Sequence, residues 1–250
     1  MAGHSQFKNI MHRKGAQDAK RSKHFSKLSR EITVAVKTGG PDINFNPRLR
    51  TAITAARTAN LPKDKIDNAI KKASSPTDDE NFEEIRYEAY AQGGAALIID
   101  ALTDNRNRTA SDVKTIISKN GGTPAEPGSV IYMFDRVGLI EFHDSNLSEE
   151  QMLEIAIEAG ADECISDGNH HEIYCSPNKF NEVNEFITHK IGEPSVAKLY
   201  WKPQNITEIN DVEKAEKLLK LIDALEDNDD VQAVCGNYEI ADSIADKIKI

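Results

Sequence analysis

Val137-Gly138-Leu139-Ile140-Glu141-Phe142 is a short, largely apolar run, and it predicts a strand. Ser148 then offers an N-cap, and Gln151 three residues later completes a capping box, so a helix is expected over 148–159. Residues 164–167 and 172–175 read as a hairpin across Gly168, 178–191 as a helix and 195–201 as a strand. Residues 137–201 therefore run strand–helix–strand–strand–helix–strand, the split βαβ order of ferredoxin-like domains.

The flanks complete the picture. Residues 83–134 predict strands over 85–91 and 95–102 around the turn Gln92-Gly93-Gly94. A helix over 109–120 and a strand over 130–134 follow, with Gly121-Gly122 closing the helix. Residues 204–250 predict a strand over 206–209, a helix over 211–227 and a strand over 231–238. Neither flank makes a closed sheet with two covering helices, but together they would. The expectation is an inserted βαββαβ domain at 135–203, carried by a discontinuous α/β domain made of 83–134 and 204–250. Two loosely joined fragments would leave strand edges exposed.

Residues 1–75 have another character. From Lys20 to Val36 the apolar residues Phe25, Leu28, Ile32, Ala35 and Val36 recur at helical spacing, with Lys20, Lys23, Lys27 and Arg30 on roughly the opposite side. Thr38-Gly39-Gly40-Pro41 ends that helix. Asn46-Pro47 starts a second with an N-cap and a proline at its first position, and Leu61-Pro62 precedes a third. The expected head is thus a small helical bundle behind a polar arm at 1–19. The fold class as a whole reads as α+β: a helical N-terminal domain followed by two α/β domains.

Charge separates these parts. Residues 1–75 hold 16 Lys and Arg against five acids, a net of +11. The remainder holds 15 against 36, a net of −21, within a chain whose formal charge is −10. Such asymmetry points to a nucleic-acid or membrane partner. An ordinary solubility face mixes both signs, and this one does not. The candidate phosphate-contacting residues in the head are Lys8, Arg13, Lys14, Lys20, Arg21, Lys23, Lys27, Arg30, Arg48 and Arg50. Arg106 and Arg108 join them from the segment Leu102-Thr103-Asp104-Asn105-Arg106-Asn107-Arg108-Thr109, which begins a helix. The alternative for that pair is internal pairing with Asp104 or Glu88.

Other classes find little support. No apolar run approaches the ~20 residues of a bilayer span, so no membrane partner is expected. The N-terminus lacks the apolar core of a secretory signal, which places the expected compartment in the cytoplasm. Cys164, Cys175 and Cys235 read as reduced, small hydrophobes. His170-His171 with Cys164 and Cys175 lacks zinc-site spacing, and the acidic run 226–230 lacks the glycine and final glutamate of a calcium loop. That run reads as a solvated helix end. With no P-loop or nucleophile elbow, the expectation is a protein with no catalytic constellation, cofactor, metal or small-molecule substrate.

Several longer motifs resemble the YebC/PmpR family. They are Met1-Ala2-Gly3-His4-Ser5, the basic run from Arg13 to Arg21, Asn46-Pro47-Arg48-Leu49-Arg50, the segment from Leu102 to Thr109, the segment from Gly128 to Arg136, and the run from Leu225 to Gln232. They occur in the family's order and cover nearly the whole chain. The resemblance implies a non-enzymatic regulator of gene expression. Some members are described as transcriptional regulators that bind promoter DNA. Others are ribosome-associated translation factors acting on proline-rich nascent sequences, or mitochondrial translational activators. The implied partner is nucleic acid, as promoter DNA or ribosomal RNA, in the setting of RNA polymerase or the ribosome. A protein-interaction module working through the acidic body is the further alternative. The chain departs from the family pattern at Gln6-Phe7, usually lysine and tryptophan, and at Ala89, Ala91 and Gln92, usually glycine, glycine and proline.

Overall fold

Asn46 caps the second helix as its sequence requires: its Oδ1 accepts the Leu49 N–H at 3.0 Å, and Pro47 takes the first helical position. The computed structural model describes residues 17–75, 81–245 and 247–248, with side chains from Ser22 onward. The head consists of α1 (Gln17–Gly39), α2 (Pro47–Thr58) and α3 (Lys63–Ala73). They close on Ile32, Ala35, Val36, Leu49, Ile53, Ala56 and Ile66.

The first sheet has the order β3-β1-β2-β9, from Thr123–Ala125, Glu83–Tyr90, Ala96–Thr103 and Val231–Gly236. All its pairings are antiparallel, with Leu97 opposite Gly236 and Ile99 opposite Val234. Helices α4 (Arg106–Lys119) and α7 (Val212–Glu226) cover one face with Val113, Ile117, Leu218, Leu221, Ile222 and Leu225. β8 (Thr207–Ile209) and β10 (Tyr238–Ile240) form a separate parallel pair.

The second sheet has the order β5-β6-β4-β7, from Glu163–Asp167, His170–Cys175, Phe134–Phe142 and Val196–Pro203. Helices α5 (Glu149–Glu158) and α6 (Phe180–Ile191) cover it through Ile140, Met152, Ile155, Ile173, Phe180 and Ile187. The expected capping box forms, with Ser148 Oγ accepting from Gln151 N–H and Gln151 Oε1 accepting from Ser148 N–H.

The two uncovered faces meet. Ala96, Ile98 and Cys235 of the first sheet share a buried cluster with Leu139, Tyr174, Tyr200 and Trp201 of the second. Trp201 ties the layers further: its indole N–H donates to Asp100 Oδ2 at 3.0 Å, and the Arg86 and Arg136 guanidinium carbons lie 4.1 and 4.7 Å from the ring centroid. The fold is α+β, a helical N-terminal region followed by sheet-rich α/β domains.

Three local readings need correction. Of the strand expected over 130–134, residues 130–133 are not extended, because Glu88 claims donors there: its carboxylate accepts from the N–H groups of Gly128, Val130 and Ile131 at 2.7, 2.7 and 3.1 Å. A 3₁₀ turn at Ile131–Met133 results, and β4 begins at Phe134. β3 was not anticipated because Pro124 breaks the strand pattern; the sheet accommodates it at an edge. The expected strand over 231–238 splits at Asn237, whose Oδ1 accepts the Ala96 N–H at 2.7 Å and whose own N–H donates to Ala96 O at 3.1 Å.

Candidate nucleic-acid interface

Lys23, Lys27 and Arg30 stand four and three residues apart on α1 and so share one face. That face meets the C-terminal end of α7 and the acidic turn after it. Lys23 Nζ donates to Asp227 O at 2.9 Å and lies 3.5 Å from Asp227 Oδ1. Lys27 Nζ donates to Glu226 O at 2.5 Å. Arg30 Nη1 lies 2.9 Å from Leu102 O, Asp229 O and Asp230 Oδ1. The last carbonyls of a helix carry partial negative charge, so the two lysines cap α7 electrostatically. Burial holds the Lys27 ammonium below its ordinary pKa even with Glu226, Asp229 and Asp227 nearby. The run 226–230 is therefore a counter-charge for the head, which corrects its reading as a solvated helix end.

Asp230 is the centre of this contact, and it is buried. Its Oδ1 pairs with Arg30, and its Oδ2 accepts from Arg108 Nη2 at 2.9 Å, Thr109 Oγ1 at 2.6 Å and Thr103 Oγ1 at 3.3 Å. Burial alone would raise its pKa, but the Thr109 hydroxyl and the Arg108 and Arg30 guanidinium groups outweigh that and hold it below the usual 3.8. A depressed carboxylate contributes stability above its unfolded pKa and loses it as pH falls through the folded value. Melting temperatures of the wild type and Asp230→Asn should therefore differ most near neutrality and converge as pH falls below 3.8. A difference that persists undiminished in acid contradicts this account of Asp230.

The remaining candidates divide. Arg48 pairs with Glu31 at 2.7 Å and Glu84 at 2.5 Å, and Arg50 pairs with Glu185 of α6. Arg108 also pairs with Asp104 at 2.8 Å, so the internal-pairing alternative holds for Arg108 and Asp104. Glu88 serves backbone N–H groups instead. Arg106 is exposed and makes no ion pair with a described residue. Lys8, Arg13 and Lys14 lie outside the described residues; Lys20 and Arg21 belong to α1, but their side chains lie outside them too.

Bases that were not singled out face solvent. Arg57, at the end of α2, and Lys63, Lys65 and Lys71 on α3 are exposed and form no ion pair with a described residue. Their signal was present in the charge count but not in any stripe, since they do not repeat on one helical face.

The tempting histidine–cysteine set does not assemble. His171 is buried, with Ser166 Oγ 2.7 Å from Nδ1 and Leu147 O 3.2 Å from Nε2, and all three cysteines are free thiols. Burial pushes the Cys175 and Cys235 thiols up to about 11. In the altered turn, Gly93 and Gly94 adopt φ of 77° and 83°, and Gln92 Nε2 donates to Gly121 O at 2.7 Å.

Fold and contacts define a multidomain α+β protein that holds a basic helical module against an acidic body. The chain belongs to the TACO1/YebC family: the family's N-terminal domain matches residues 5–76, and its second and third domains, labelled for transcriptional regulation, match residues 82–238. It is also similar to a crystal structure described as a conserved hypothetical protein, Aq1575, from Aquifex aeolicus. That likeness has a TM-score of 0.81 and 47% identity, covering 90% of this chain and 93% of the other. No helix among the described residues is long and apolar enough to cross a membrane.

Proposed function

We propose that the chain is a non-enzymatic regulator of gene expression that meets structured RNA at the translation machinery through the exposed bases of its helical head. The reading rests on the charge left after internal pairing. Arg57, Lys63, Lys65 and Lys71 remain exposed in a head that carries 16 bases against five acids. Such groups grip phosphates without reading sequence. Lys23, Lys27 and Arg30 of helix α1 lie against the body, so these three bases are not presented to a DNA major groove. RNA recognised by shape and backbone needs no such helix. An acidic body is better tolerated beside RNA flanked by basic proteins than along bare duplex.

The test compares wild type with the variant Arg57→Ala/Lys63→Ala/Lys65→Ala/Lys71→Ala on a labelled structured RNA and a labelled duplex at several salt concentrations. Four duplex phosphate contacts correspond to a slope of about −3.6 in log affinity against log salt, and the variant should lose most of it. Co-sedimentation with ribosomal particles, weakened in the variant, is the expected cellular result. Residence at the top of the gradient, with recovery of discrete promoters by chromatin immunoprecipitation, replaces RNA with promoter DNA.

A further inference from the structure

Glu141 and Glu172 are direct register partners across β4 and β6, and both are buried. Like charges opposite one another in a ladder repel, and burial removes the water that would screen them. His143 follows the last residue of β4, two residues on from Glu141, and His170 lies two residues along β6 from Glu172, so the histidines and both carboxylates gather at one end of the β4–β6 pair. His143 Nε2 is 3.0 Å from Glu141 Oε2, and His170 Nε2 is 3.4 Å from Glu172 Oε1. The imidazole centroids are 4.9 Å apart. Donor atoms of Glu141, His143 and His170 all fall within 4.8 Å of one another.

We propose that Glu141, His143 and His170 form a binding site for a divalent transition metal, with zinc the ion that best fits the donors. Two imidazoles, one carboxylate and a water make a recurring tetrahedral zinc set. Zinc–ligand bonds of about 2.0–2.2 Å place neighbouring donors about 3.4 Å apart, so a separation of 4.8 Å must close by about 1.4 Å. The cation would offset the facing carboxylates. Glu172 against His170 supplies the carboxylate–histidine contact that orients a metal-bound imidazole. Tyr174 in turn steadies Glu172, its hydroxyl donating to Oε2 at 2.6 Å. Ser195 Oγ accepts the His143 N–H at 3.0 Å and fixes the backbone there. This set is distinct from the His171 and cysteine pattern, and it lies apart from the head–body contact.

Full-length protein stripped with chelator is titrated with zinc by calorimetry and with cobalt by visible absorbance near neutral pH. Expected are about one equivalent bound, a tetrahedral cobalt spectrum and a higher melting temperature with zinc. Glu141→Gln and His143→Gln should each weaken zinc by at least about tenfold, the lower bound for losing even an outer-shell partner. The double variant His143→Gln/His170→Gln should lose the site while its metal-free melting and circular dichroism match the stripped wild type. Absence of stoichiometric uptake by the wild type, or uptake that survives in the folded double variant, overturns the proposal.

Discussion

Replacing Asp230 by alanine is expected to cost about 3 kcal/mol and to loosen the helical head from the body. The side chain is only 7% exposed and joins three parts of the fold: Arg30 from α1, Arg108 and Thr109 from α4, and the Thr103 hydroxyl at the end of β2. Truncation leaves Arg30, whose side chain is 21% exposed, facing a gap where its anion had been. Asp230→Asn should cost less, because the amide oxygen still accepts from a hydroxyl. Hydrogen exchange locates the effect: α1 amides should exchange faster in the variant, while those of the second sheet keep their protection. Unchanged α1 exchange would show that the docking depends on other groups.

Glu88→Ala is expected to cost at least about 3 kcal/mol, for a different reason. A single carboxylate serves three backbone N–H groups over 128–131, so its removal leaves those donors unsatisfied. Glu88→Gln keeps only one acceptor oxygen and should fall between alanine and wild type. Urea denaturation gives the order directly, provided the slope is unchanged between variants. If the alanine variant lies within about 0.5 kcal/mol of wild type, the loop does not depend on this carboxylate.

Local chemistry was legible where a residue acts on its near neighbours. Asn46 with Pro47, and Ser148 with Gln151, announce their helix starts and form the hydrogen bonds those patterns imply. Glu88 and Asn237 escaped because each replaces backbone partners far away, one 40–43 residues along the chain and the other 141. Periodicity identified the basic face of α1 but could not name what covers it, since Lys27 and Glu226 are 199 residues apart. Strong base in the head and stronger acid in the body suggested an external partner for the head. The structure reveals that part of this complementarity is satisfied within the chain. Glu141, His143 and His170 fit no spacing pattern, because a strand pairing brings them together.

The place of β9 has a consequence for synthesis on the ribosome. β1 and β2 are made early, yet the neighbour that completes the first sheet follows only after residues 104–230. The second sheet is contiguous in sequence and can close while β2, apolar on both faces, still waits with an open edge. Asp229 and Asp230 emerge immediately before β9, so the head acquires its anchor as the sheet acquires its last strand. Nascent chains that stall before residue 230 combine an unsatisfied edge with an undocked basic head, a pairing that chaperones and proteases can recognise. Locking of the head thus marks a translated body.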